Sequence, residues 1–239
     1  MKVMFVNPHY PHDPYTLLLH PPLGYAYLAR HLKAAGHDVI HIDLPFLGND
    51  PATLAAALDA HRPDLVGITS VAQSYSQALE LARLVKQSRL APPVVFGGPH
   101  VTFIAAECLR RHTAVDYVLR FDAEHAIVDL CAALDAGGRE VLRKVPGLCF
   151  RTADGDIATT APAPPLMDLD ELGRPDRSIF DLVPYLDYDY ETVVMTARGC
   201  PSRWSTPSST ASVTSRRSCG PPSTSSTTSP ASASSGPGR

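Results

Sequence analysis

Charge of either sign is in short supply. Lys and Arg number 21 against 24 Asp and Glu, a formal net charge of −3, so nothing electrostatic calls for a nucleic acid or an acidic surface as partner. Long apolar runs are absent too. No stretch approaches the ~18 residues of a helical membrane span. Met1–Asn7 is short, lacks a cationic run and does not read as a targeting segment. Cysteine is limited to Cys108, Cys131, Cys149, Cys200 and Cys219, with no C-x-x-C pair. The first three fall within apolar patterns and read as core thiols, which fits a reducing, cytoplasmic compartment. Phosphate-cradling motifs are missing: there is no G-x-G-x-x-G after the first strand-like run and no G-K-S/T. A dinucleotide fingerprint and a P-loop are thereby set aside. Nor does an acidic pair stand at the ends of the first and third strands, as a phosphoacceptor receiver needs.

These shortages are uneven along the chain. All ten histidines lie at or before His125, the last carboxylate is Glu191, and from Ser202 onward there is no Asp, Glu, Lys or His. Roughly two thirds of that final stretch is Ser, Thr or Pro. It offers too little apolar surface to offset the ~1–2 kcal/mol per residue of ordering a backbone, so 202–239 is expected to be a disordered tail.

What is present upstream is a regular alternation. Strand-like runs at Lys2–Asn7, Asp38–Asp43, Asp64–Ser70, Pro93–Gly98 and Ala114–Leu119 alternate with helical patterns at Leu23–Ala35, Pro51–His61, Ser74–Ser88, Thr102–Arg111 and Glu124–Ala136. Near-continuous apolar strands between amphipathic helices predict an α/β fold, a doubly wound five-stranded parallel sheet. Gly147–Arg151 and Asp156–Thr160, joined by Ala153-Asp154-Gly155, predict a β-hairpin. Ala161–Asp189 has no sustained period and reads as a linker or strap. Thr192–Ala197 reads as a further strand, followed by Arg198-Gly199-Cys200-Pro201.

Right-handed crossovers put a ligand crevice at the carboxyl ends of the strands. The rim then comprises residues 7–14, 44–49, 69–74, 97–102 and 120–124. Backbone approaches a large ligand closely only where side chains are small, and Thr69-Ser70 and Gly97-Gly98-Pro99-His100 provide such places. The same residues also suit tight turns with no ligand. His9 and His12 read either as metal ligands or as part of a solvated loop.

Taken in order, several segments resemble the cobalamin-binding radical SAM family. His20-Pro21-Pro22-Leu23-Gly24-Tyr25-Ala26-Tyr27-Leu28-Ala29 is similar to the P-P-L-G-x-x-x-L-A opening of its first helix, and Gly36-His37-Asp38-Val39 continues it. Gly97-Gly98-Pro99-His100-Val101-Thr102 is similar to its fourth-strand turn, and Val145-Pro146-Gly147-Leu148 to its hairpin opening. Asp168–Leu172 with Pro175-Asp176-Arg177 resembles its interdomain strap, and Thr196–Pro201 the segment that opens its barrel. The resemblance implies a flavodoxin-like cobalamin-binding domain over 1–140, a hairpin and strap over 141–191, and the first strand of an incomplete radical SAM barrel over 192–201. It implies a corrinoid as partner, held by Asn7, Pro8, Thr69, Ser70, Gly97, Gly98, Pro99, His100 and Glu124. Two departures stand out. Where the family commonly has G-E-G-E, this chain has Phe121-Asp122-Ala123-Glu124, which puts cofactor contacts from that loop in question. D-x-H-x-x-G is absent, so a bound cobalamin is expected to lack a histidine ligand.

The parent reaction implied by the family is methyl transfer to an unactivated carbon or phosphorus, or a related radical rearrangement. It needs S-adenosylmethionine and a [4Fe–4S] cluster on C-x-x-x-C-x-x-C thiolates. Cys200 is the first candidate metal ligand, but Trp204 and Pro207 occupy the other two positions. The composition changes at the same place, and the expectation is a truncated or frameshifted sequence, catalytically incomplete, that retains corrinoid binding. Two other functions fit the alternation alone: a nucleotide- or sugar-binding Rossmann-like half of a glycosyltransferase, and a scaffold without ligand. Substrate and oligomeric state are not readable from these residues.

Overall fold

The computed structural model describes residues 1–8, 20–47, 50–163, 168–188 and 193–198. The loop containing His9 and His12, together with Cys200, Trp204, Pro207 and Cys219, lies outside these residues, as does the Ser/Thr/Pro-rich stretch from 202.

Five strands, β1 (Lys2–Asn7), β2 (Asp38–Asp43), β3 (Leu65–Thr69), β4 (Val94–Gly97) and β5 (Tyr117–Leu119), form the parallel sheet expected from the sequence. Their order, β2-β1-β3-β4-β5, is that of a flavodoxin-like doubly wound fold. The sheet does not end there. The hairpin β6 (Leu148–Arg151) and β7 (Ile157–Thr159) adds antiparallel to β5, giving seven strands. The hairpin therefore belongs to the same sheet, because buried Leu148 and Phe150 share the core of the parallel strands.

Helices cover both faces. Even positions of β1, Met4 and Val6, face α3 (Pro51–His61), α4 (Tyr75–Gln87) and α5 (Pro99–Arg111); odd positions, Val3 and Phe5, face α1 (Leu23–Ala34) and α6 (Glu124–Ala136). α1 stops at a Schellman cap: Gly36, at φ +84°, donates its N–H to Lys33 O, and His37 donates to Leu32 O. α3 starts where Asp50 accepts a bond from Ala52 N, with Pro51 in the first turn.

Three details go beyond the sequence pattern. α5 begins at Pro99, three residues before the expected Thr102, because Pro99 fits the first helical position after Gly98. Two short helices, α2 (Leu44–Leu47) and α7 (Arg139–Leu142), occupy segments expected as loop. Residues 168–188 are not a free linker. They make three short 3₁₀ turns and bury Leu172, Phe180 and Tyr185, with Phe180 edge-on to His41 and Tyr185 against Phe46. Residues 193–198 join no strand among the described residues; they are held by side chains, Arg177 bonding Val193 O and Arg198 reaching the rim. Among the described residues no helix is long and apolar enough to cross a membrane.

Candidate functional site

A cavity of about 470 Å³ opens at the carboxyl ends of β3, β4 and β5, between α1 and α6. Its floor is apolar, formed by Phe5, Gly67, Val95 and Leu119 on the odd face of the sheet. Gly24 and Leu28 of α1 face Ile127 of α6 across it. Gly67 has to be glycine: a Cβ there would come 2.7 Å from the Phe5 ring. Tyr25 stacks on that ring at 4.6 Å. Its hydroxyl donates to Val6 O at 2.9 Å and accepts from Thr69 N at 2.6 Å. One phenol thus ties together the ends of β1 and β3, where the strand order reverses.

The rim is built from the loops after β3, β4 and β5. Ser70 N donates to Gly97 O, and Gly98 at φ +106° lets the two loops meet, since a Cβ would stand 2.6 Å from Ser70 O. Thr102 joins the next loop. Its hydroxyl donates to Gly98 O at 2.9 Å and accepts from Phe121 N at 3.2 Å. Thr102 is 8% exposed, so the bridge is dry.

Polar charge is concentrated at one corner. Glu124, only 6% exposed, opens α6 and accepts Arg198 Nη1 at 2.7 Å. Asp122 accepts Arg198 Nη2 at 2.8 Å. Burial works against the guanidinium charge, but the carboxylates of Glu124 and Asp122 outweigh it and raise the Arg198 pKa.

Of the candidate contacts, Thr69, Gly97, Gly98, Pro99 and Glu124 line this cavity together. Asn7, Pro8, Ser70 and His100 do not. Asn7 donates to Asp43 Oδ1 at 2.9 Å beside β2, and Pro8 is buried next to it. Ser70 is fully buried beneath the rim, and the His100 ring packs on Tyr75 at 4.8 Å. The loop in question after β5 does reach the cavity, through Phe121, Asp122, Ala123 and Glu124. Sequence reasoning passed over Tyr25, Thr102 and Arg198 as cavity residues. Tyr25 and Thr102 look like ordinary helix positions, and the partners of Arg198 are more than seventy residues away, |i−j| being 74 for Glu124. Among the described residues no group of three His, Cys, Asp or Glu is placed to hold a metal ion.

Residues 16–131 match the B12 binding domain family. The chain is 30% identical over 207 residues to an anaerobic magnesium-protoporphyrin IX monomethyl ester cyclase of Rubrivivax gelatinosus, covering 84% of this chain and 37% of that protein. It is 35% identical over 185 residues to an uncharacterized methyltransferase of Pyrococcus horikoshii, covering 76% and 39%. The chain therefore spans under two fifths of the length of these relatives. Its fold is shared with the cobalamin-dependent S-adenosylmethionine radical enzyme OxsB, solved with aqua-cobalamin and S-adenosylmethionine bound, at a TM-score of 0.68 and 18% identity over 83% of this chain and 27% of that one. Residues 16–131 thus belong to the B12-binding domain family, and the chain is related to B12-dependent radical SAM enzymes.

Proposed function

We propose that this chain binds cobalamin at the carboxyl rim of its sheet, as the cofactor-holding portion of a B12-dependent radical SAM enzyme of methyltransferase type. The observation that carries the reading is the cavity between α1 and α6, in a domain of this family, with an apolar floor and a glycine-lined mouth. The residues present fit such a ligand. Phe5, Val95, Leu119 and Ile127 offer dry apolar contact, while Gly97, Gly98 and Thr69 leave backbone groups free of bulky side chains at the mouth. Bound cobalamin would supply a cobalt centre able to carry a methyl group. The chain's own part is to exclude water from the apolar side of the ligand and to fix the rim through Thr102, Tyr25 and the Arg198–Glu124 pair. Asn7, Pro8, Ser70 and His100 are assigned a supporting role, holding the strand ends and loops that carry the contact residues.

The iron–sulfur part of the chemistry does not fit the residues. Cys200 is a suitable thiolate, but Trp204 and Pro207 at the remaining positions cannot ligate iron. We therefore assign no radical step to this chain and expect corrinoid binding without turnover. Mixing the purified chain with hydroxocobalamin should give co-elution and a shifted visible spectrum. No binding at tens of micromolar, or preferential stabilisation by a UDP-sugar, would overturn the reading.

A further inference from the structure

Phe121 is a bulky residue held in a conformation that glycine adopts without cost. Its φ is +64°, in the left-handed region where a side chain crowds the backbone. Strain of this kind persists only where the surroundings fix it. They do so here from both sides. The Phe121 N–H is hooked by Thr102 Oγ1 at 3.2 Å. The preceding residue, Arg120, is locked to the hairpin, its N–H donating to Gly147 O at 2.9 Å and its Nη2 to Thr160 O at 2.8 Å. The ring is not spent on the core. It lies half-buried on the cavity wall, with the Arg120 guanidinium 5.3 Å from its centroid. A guanidinium anchored on one side backs the ring and leaves it presented to the cavity.

We infer that Phe121 is a ligand-contact residue that selects for a broad, flat, delocalised ring system, and that the strained backbone is what aims its ring at that ligand. This rests on the corrinoid reading and adds to it a specific recognition residue. An aromatic face is sequence-tolerant toward π-systems but gives little to a sugar or a phosphate, so the choice of Phe at this position favours a macrocycle over a nucleotide sugar.

Three variants of the full chain test it: Phe121→Gly and Phe121→Asn, both tolerant of the left-handed conformation, and Phe121→Tyr, which keeps the ring. The unliganded Gly and Asn variants should melt no lower than the parent, since they relieve the strain. Titrated with hydroxocobalamin, both should bind roughly tenfold more weakly, the scale of one lost aromatic contact, and Phe121→Tyr should bind within about twofold of the parent. Gly and Asn variants that bind like the parent would overturn the inference and leave the corrinoid reading intact. Loss of thermal stability in both would also overturn it, marking the ring as packing. A parent chain that fails to bind refutes the corrinoid reading and this inference with it.

Discussion

His41 and Asp43 stand two residues apart on β2, and burial pushes them in opposite directions. His41 is lowered to about 4 by desolvation. Asp43 is raised to about 6 by desolvation, against the opposing hydrogen bond from Asn7. His41 Nε2 and Asp43 Oδ2 have no hydrogen-bond partner among the described residues. The folded chain keeps His41 neutral while the unfolded chain takes up that proton near the ordinary histidine value of 6.5. Acidification through this window therefore favours unfolding. Asp43 works the other way: the folded chain holds its proton up to about 6, the unfolded chain releases it near 3.8, and stability from this group is lost as pH rises between those values. Each is worth roughly 2–3 kcal/mol, so the two nearly cancel. Asp43→Asn removes one side of the balance. Its stability relative to the parent should increase by about 2 kcal/mol between pH 4 and 6.5, read from urea midpoints. A difference that stays flat with pH would show that Asp43 titrates as an ordinary surface carboxylate. None of this was legible in the sequence, where D-V-I-H-I-D reads only as a strand with polar ends. The same limit hid Phe121: the pattern marked a rim loop there, and the sign of φ is set by contacts from Thr102 and Gly147 that no local rule anticipates.

Elements were easier to read than their attachments. Apolar periodicity located every parallel strand and the helix after each, because burial on two faces leaves a strong local mark. It placed the hairpin strands as well, but not their pairing with β5, which depends on an edge that only the folded sheet presents. Residues 168–188 looked like a strap because 3₁₀ turns carry no periodic signature, although Leu172 and Tyr185 are as buried as core residues. Residues 193–198 read as a strand from Thr-Val-Val-Met-Thr-Ala, yet their attachment comes from one cation. Arg198→Met would leave Glu124 buried without its charge partner. We expect a loss of about 1–3 kcal/mol, towards the lower figure because the Arg198 side chain is still 28% exposed. Adding Glu124→Gln should restore part of it in a denaturant titration, and no recovery would argue that Arg198 acts by packing alone.

At the scale of the whole molecule the sheet has two edges, and neither is long and open. β2 is half-buried beneath α1 and the turn at Arg177–Ile179, and β7 has only three residues. A chain stopped at residue 140 would remove Leu148 and Phe150, both almost fully buried, and uncover β5. By size exclusion it should associate or precipitate, whereas a chain ending at 163 should remain dispersed. Equal behaviour of the two would mean that the hairpin contributes little to closing the sheet.

The hairpin also fixes a matter of direction. β5 runs towards the cavity mouth, and the next strand, being antiparallel, begins at that mouth, where Gly147 O accepts the Arg120 N–H. β6 carries the chain away and β7 carries it back, so that Thr160 O lies against Arg120 Nη2 beside Phe121. Two added strands make an even number of passes. An odd number would deliver the chain to the opposite end of the sheet. By parity alone, everything downstream of residue 160 starts its path at the doorstep of the cavity, which is where a following domain has to start if it is to reach a ligand held there.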